Sequence, residues 1–307
     1  MTGKQSPEIG FIGLGAMGLP MAKSLLRAGL TVRGYDIAPA VVESFAADGG
    51  ISADSPRQAA KEAGVLVLMV VTADQAEDVL FGSGNAASAL QPGSVVMLCS
   101  TVPPSYARRT AQRLYDMGLE MLDAPVSGGT LRAADGTLSV MASGRPQAFA
   151  RTEPLLDAIA ANVYRIGDEC GQGSTMKMIN QLLAGVHIVA AAEAIGLASK
   201  ANLDLQTVYE VICNSAGGSW MFENRVPHIL NDDYSPRSAI NIWRKDLGIV
   251  LEMGKDEGYP LPLAAASYQL YLSAWAQGLG GIDDAGVVKI YEQLAGIEIH
   301  PKSEEQS

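Results

Sequence analysis

Lys177 and Asn180 stand three residues apart in the run GQGSTMKMIN, residues 171–180. On a helix such a pair shares one face, so an ammonium and an amide can address the same small molecule. Gly171 and Gly173, just upstream, let the backbone come close to a neighbour. Oxidising a secondary alcohol requires a base for the hydroxyl proton while a hydride leaves the carbinol carbon for nicotinamide. A lysine serves only if its pKa falls toward neutrality, which a dry cleft and a nearby nicotinamide cation would promote. The plain alternative is a solvated lysine in the first turn of a helix. A cation there opposes the helix dipole, and that local conflict points toward function.

The other half of such chemistry is legible near the start of the chain, where residues 10–21 read GFIGLGAMGLPM. An apolar run over 9–14 followed by helical spacing over 16–28 places Gly13, Leu14, Gly15, Ala16, Met17 and Gly18 at a strand-to-helix turn, the context that G-x-G-x-x-G requires. Gly13 permits the tight turn, Gly15 lets a pyrophosphate approach the backbone, and Gly18 allows helix and strand to pack closely. The helix N-terminus supplies N–H groups to the phosphates. A second strand over 31–35 ends at Asp36, which can accept from the ribose hydroxyls and would repel a 2′-phosphate. The expected cofactor is therefore NAD, with Arg33 the one nearby cation that could favour NADP.

These residues need a frame, and the chain is long enough to provide two cores. It has 307 residues, 48% of them hydrophobic. Apolar runs at 65–71, 95–98, 120–123, 138–142 and 163–166 alternate with helical stretches, the grammar of a doubly wound, mainly parallel α/β sheet of Rossmann type. Beyond Ser174 the strand signals stop, and 175–201, 205–214, 239–255, 263–277 and 285–294 carry helical periodicity. The expected organisation is a NAD-binding domain over 1–168, an interdomain helix over 169–204, an all-α domain over 205–300 and a solvated tail over 301–307. A helix over 175–201 would run roughly 40 Å at 1.5 Å per residue and bring its first turn into a cleft between the domains.

A net charge of −11 disfavours nucleic acid and anionic membrane as partners. Cys99, Cys170 and Cys213 lie far apart with no metal-finger spacing, and residues 1–8 lack the apolar stretch of a signal peptide. The expected location is the cytoplasm. No apolar run is expected to reach bilayer length, since His187, Glu193 and Lys200 interrupt the most apolar helix. His187 is expected to pack or to border the cleft, while His228 and His300 have no partners at ligand spacing. No metal is expected, because a lysine and an anion-binding loop can do what zinc does in other alcohol dehydrogenases.

Four motifs carry a resemblance that runs nearly end to end: GFIGLGAMGLPMA (10–22), DAPVSGG (123–129), GQGSTMKMIN (171–180) and KDL (245–247). On these the chain resembles the β-hydroxyacid dehydrogenases, a family that includes 3-hydroxyisobutyrate dehydrogenase, tartronate semialdehyde reductase and threonate dehydrogenase. The resemblance implies Lys177 as acid/base and Asn180 as a residue holding the substrate. It further implies Ser127, Gly128 and Gly129 at the substrate carboxylate, Thr101 as a cofactor contact and Lys245 at the nicotinamide end. Without it, Lys245 reads as a surface helix residue and 127–129 as an ordinary glycine turn. Imine reductases share the architecture but typically replace the lysine, and a non-catalytic dinucleotide sensor would need neither lysine nor anion loop.

Residues 214–230, NSAGGSWMFENRVPHIL, are where members of the family should differ, and SWMFENRVPHIL (219–230) looks most like the threonate dehydrogenases, whose substrate is a four-carbon polyhydroxy acid. Trp220, Met221 and Phe222 could wall the pocket for the substrate tail, with Asn224 or Arg225 reaching its hydroxyls; packing within the helical domain is the alternative. Trp243 and Arg244 depart from that subfamily's pattern and leave 3-hydroxyisobutyrate and tartronate semialdehyde open as substrates. An apolar interdomain helix and a helical second domain imply a homodimer or homotetramer.

Overall fold

The computed structural model describes residues 8–299. In chain order the elements are β1 (Ile9–Ile12), α1 (Gly18–Arg27), β2 (Val32–Tyr35), α2 (Pro39–Ala47), β3 (Ile51–Ser52), α3 (Pro56–Ala60), β4 (Val65–Leu68), α4 (Ala73–Phe81), β5 (Val95–Leu98), α5 (Pro104–Asp116), β6 (Glu120–Asp123), β7 (Val126–Ser127), α6 (Gly129–Asp135), β8 (Leu138–Gly144), α7 (Pro146–Ile159) and β9 (Ala160–Gly167). Then come only helices: α8 (Gln172–Lys200), α9 (Leu205–Cys213), α10 (Trp220–Leu230), α11 (Ile240–Asp256), α12 (Pro262–Ala276) and α13 (Val288–Ala295), with short 3-10 turns between them. The chain divides into two compact units after Lys177, within α8. His300 and the tail lie outside the described residues.

The first unit is built on one sheet, ordered β3-β2-β1-β4-β5-β6-β8-β7, with β9 paired to β8. From β3 to β6 all pairings are parallel, while β8 runs antiparallel to β6 and β7. Because side chains alternate along a strand, each parallel strand feeds both faces. Val65, Val67, Val95 and Met97 face α1, α6 and α7 in one core. Leu66, Leu68, Val96 and Leu98 enter the other, with α3 and α5 residues such as Ala59 and Ala107. Burial on both faces is why these strands read as unbroken apolar runs.

The second unit has its own core, in which Ile188, Val189, Ala192 and Ile195 of α8 meet Trp243 and Leu247 of α11 and Tyr271 of α12. Gly185 makes this approach possible: a Cβ there would stand 3.0 Å from both Leu247 and Trp243. Helix α10 falls where the sequence reading gave no helix. Ser219 caps it by accepting from the Phe222 N–H at 3.1 Å. Pro227 cannot bond the carbonyl of Glu223, and the Tyr209 hydroxyl donates to that oxygen instead, at 3.1 Å.

One expectation is corrected. Helix α8 does have the length and composition of a membrane span, 29 residues with a mean hydropathy of 1.7 over its most apolar window. Glu193 and Lys200 lie toward its end, so Met178 to Ala192 contains no Asp, Glu, Lys or Arg and is interrupted only by His187. Half of that window is buried inside the protein.

Candidate active site

Parallel strands end together, so the sheet gathers its C-terminal turns along one edge, where open α/β sheets take ligands. Gly13–Gly18 follow β1, Asp36 follows β2, Thr101 lies just beyond β5, and Asp123 ends β6. At the first turn, Gly13 has φ +92°, and a Cβ on it would stand 2.4 Å from the Met69 carbonyl oxygen. A Cβ on Gly18 would stand 1.8 Å from the carbonyl oxygen of Gly13, whereas one on Gly15 would meet nothing within 4 Å. Gly13 and Gly18 therefore serve the fold, and Gly15 leaves open room beside the backbone. The N-terminus of α1 has no side-chain cap and no acid in its first turn, so its N–H groups suit an anion.

Asp36 braces this turn, accepting from the Leu14 N–H at 2.7 Å and the Ala38 N–H at 2.9 Å, one bond to each oxygen. A carboxylate has lone pairs beyond these, enough for ribose hydroxyls. Arg33, the cation that could have favoured a 2′-phosphate, is held in a 2.6 Å ion pair with Glu8. These residues fit NAD.

Ser127 closes β7 and is half-buried; Gly128 and Gly129 follow at φ +137° and +72°. Two successive left-handed glycines turn the backbone sharply before α6, and Gly129 is exposed with open space around its Cα. The loop can present N–H groups to a carboxylate.

Lys177 is only 6% exposed. It shares the buried face of α8 with Ser174, Met178 and Gln181, while Ile179 and Leu183 are 45% and 50% exposed. A lysine on the inner stripe with isoleucine and leucine on the outer one inverts the usual amphipathic order. Asn180 is half-buried, and its Nδ2 donates to Gln181 Oε1 at 3.0 Å.

Sequence reasoning missed what anchors this helix. Asp123, fully buried, accepts from the Gly171 N–H, the Ser174 N–H and the Ser174 hydroxyl at 2.7–2.8 Å. The Ser143 hydroxyl donates to it at 3.3 Å and accepts from the Gly173 N–H at 2.9 Å. Burial pushes the Asp123 carboxyl above the usual carboxylate range, against the pull of those donors. The motif's glycines are explained by the same packing: Gly171 has φ +100°, and a Cβ on Gly173 would stand 2.4 Å from the Met141 carbonyl oxygen.

In the second unit Lys245 is ion-paired with Asp246 at 2.8 Å. Trp220 is 48% exposed and open to a ligand, but Phe222, 4% exposed, is stacked on Tyr209 in the helical core and lines no open wall. Arg225 is likewise turned inward, to Asp284 at 2.5 Å, which corrects its expected reach toward substrate hydroxyls. Trp243 donates to Asp284 at 2.7 Å beside Tyr271, and Arg244 lies over the Trp275 ring. His228 lies 2.9 Å from Asp283. Among the described residues no cluster could hold a metal ion.

Residues 8–167 match the NAD-binding domain of 6-phosphogluconate dehydrogenase, and residues 171–291 match the NAD-binding family of NADP-dependent 3-hydroxyisobutyrate dehydrogenase. An L-threonate dehydrogenase of Cupriavidus necator is 50% identical, covering 97% of this chain and 100% of its own. A 2-hydroxy-3-oxopropionate reductase of Escherichia coli is 32% identical over 94% of this chain and 98% of its own. The crystal structure of a 3-hydroxyisobutyrate dehydrogenase from Salmonella typhimurium superposes with a TM-score of 0.87 at 48% identity, covering 92% of this chain and 99% of that one. With the glycine turn, the acid that braces it and the buried lysine in place, the chain belongs to the β-hydroxyacid dehydrogenases of the 3-hydroxyisobutyrate dehydrogenase type, NAD-binding oxidoreductases that act on CH–OH.

Proposed function

We propose that the chain oxidises L-threonate or a similar aldonate with NAD. The observation that carries this reading is the buried Lys177 on a helix anchored to the edge of the nucleotide-binding sheet. NAD, when bound, would supply the acceptor for the carbinol hydride. Lys177 Nζ takes the hydroxyl proton of the substrate as the carbonyl forms, and in reverse returns it to the forming alkoxide. Ser127 and the N–H groups of Gly128 and Gly129 hold the substrate carboxylate, and Asn180 holds a hydroxyl. Leu14, Ala16 and Met17 complete the turn that cradles the pyrophosphate, with Thr101 and Lys245 as further cofactor contacts. Trp220 is the residue that we assign to the substrate tail.

Support for a four-carbon substrate comes from the 50%-identical L-threonate dehydrogenase. Initial rates with NAD on L-threonate, glycerate, 3-hydroxyisobutyrate and serine test it: L-threonate should give the highest kcat/KM by at least about tenfold. A preference for 3-hydroxyisobutyrate, or for tartronate semialdehyde in the reducing direction, would replace the substrate and leave the chemistry intact.

The same reading places the enzyme in the cytoplasm as a homodimer or homotetramer. Met176, Ile179, Leu183 and Leu197 form an exposed apolar stripe along one side of α8, suited to a second copy. Light scattering at micromolar concentration should return a multiple of the 32.2 kDa chain mass.

A further inference from the structure

The second unit holds an unbroken polar chain that links two of the sequence motifs. Asn180 Nδ2 donates to Gln181 Oε1 at 3.0 Å, and Gln181 Nε2 donates to Asp246 Oδ2 at 2.6 Å. Lys245 Nζ lies 2.8 Å from the other oxygen, Oδ1, as an ion pair without the alignment of a hydrogen bond. Gln181 and Asp246 are 7% and 2% exposed, so water has little room to replace either partner. The register comes from the close packing at Gly185, one turn along α8 from Gln181, against Trp243 and Leu247 of α11.

A side-chain amide has one accepting and one donating end, and turning it over exchanges them. The carboxylate of Asp246, paired with an ammonium, offers only acceptors toward Gln181. Gln181 must therefore present Nε2 to Asp246, which leaves Oε1 toward Asn180. Asn180 must in turn present Nδ2, which leaves its Oδ1 directed away from Gln181. One charge thus sets the sense of two amides in series.

We infer that Gln181 is a positioning residue: driven by Asp246, it locks the Asn180 amide so that Oδ1 faces the substrate as an acceptor for a substrate hydroxyl. The inference rests on the proposed role of Asn180 as a substrate contact and adds which of its two ends makes that contact. An acceptor there selects a substrate carrying a hydroxyl over one that offers an ether or carbonyl oxygen at the same point. The link to Lys245 also ties the substrate contact to the residue proposed at the nicotinamide end of the cofactor.

The test is a double-mutant cycle on the full-length enzyme with the preferred hydroxy acid and NAD. Gln181→Met keeps the volume and removes both polar ends, leaving the Asn180 amide free to turn. It should raise the KM for the hydroxy acid about tenfold, the size of one lost polar contact, with kcat changed less and NADH affinity within about twofold. Asn180→Ala should raise KM at least as much, and adding Gln181→Met to it should raise KM no further. A Gln181→Met enzyme with wild-type KM beside an impaired Asn180→Ala enzyme overturns the lock and leaves the Asn180 contact standing. An unimpaired Asn180→Ala enzyme removes that contact and the lock with it. Additive effects, or a loss running equally through NADH affinity, kcat and KM, mark Gln181 as a residue acting by another route and overturn the inference.

Discussion

Asp123 caps Ser174. One carboxylate oxygen accepts from the serine backbone N–H at 2.8 Å and the other from its hydroxyl at 2.7 Å, across 51 positions of sequence. The contact joins the end of β6 to the first turn of α8 and stands three residues before Lys177, so it fixes where the lysine starts from. Replacing Asp123 by Ala would leave the Gly171 and Ser174 N–H groups buried without their acceptor. A lost cap combined with unpaired buried donors should cost on the order of 3 kcal/mol. Urea unfolding followed by circular dichroism would read this, and a variant as stable as the parent would show that the carboxylate is dispensable to the helix. Asp123→Asn retains one accepting oxygen and should lose less.

Removal of the Lys177 amine gives the most direct chemical test. Lys177→Met fills the same buried space and cannot accept a proton, so kcat should fall by about 10²–10⁴, the usual contribution of a general acid–base group. NADH affinity, read by fluorescence titration, should stay within about twofold. Should the variant lose the cofactor as well, the lysine would be a structural residue and the proton transfer would belong to another group.

Cofactor choice is expected to rest on Asp36. With Arg33 committed to Glu8, the Asp36 carboxylate is the group that would repel a 2′-phosphate. Asp36→Ala should shrink the ratio of kcat/KM for NAD to that for NADP by about tenfold or more, roughly the effect of removing one close like-charge contact. Some NAD affinity should be lost too, because the Leu14 N–H loses its acceptor. An unchanged ratio would move the discrimination elsewhere along the sheet edge.

How much of this was legible in the sequence depended on how local each cause is. Strands β5 and β6 coincide with apolar runs because both their faces are buried, and the β1 turn is written in its glycines. Strands β3 and β7 have two residues each and leave no periodicity to find. Helix α10 is masked by Pro227, whose cost is offset by a tyrosine on another helix. Within the site, Lys177 and Asn180 sit in a recognisable motif, but Asp123, Gln181 and Asp246 act through partners 48 to 65 positions away. Such pairings exist only once the helices are packed. The same holds for Arg225, which looked free to reach a ligand and instead answers the buried charge of Asp284.

The three thiols should differ in reactivity. Burial pushes Cys99 up to about 12 and Cys170 to about 11, so both remain protonated and inert at pH 8, whereas Cys213 is half-buried and reachable. Iodoacetamide at pH 8 should add one carbamidomethyl group, on Cys213, by mass spectrometry, and three after unfolding in urea. The sign of the pH effect follows: a thiol raised in the fold contributes stability below the usual thiol range, and that contribution fades as pH climbs through 9 toward 11. Labelling of Cys99 or Cys170 in the folded enzyme would show that their cores open readily.

Two glycines of one turn should fail in opposite ways. On Gly18 an added methyl would stand 1.8 Å from the Gly13 carbonyl oxygen, a backbone atom that cannot yield without moving β1 or α1. Gly18→Ala should therefore lower the melting temperature by several degrees, as a clash of a few kcal/mol does in a chain of this size. On Gly15 the methyl meets no protein atom within 4 Å, so Gly15→Ala should melt as the parent does. Its methyl would instead occupy the space through which a pyrophosphate approaches the backbone, and NAD affinity should fall by about tenfold or more. Calorimetry and NADH titration on the pair separate the two losses. If Gly15→Ala bound NAD as tightly as the parent, the open space beside that residue would not be where the phosphates lie, and the placement of the cofactor along the β1 turn would have to be abandoned.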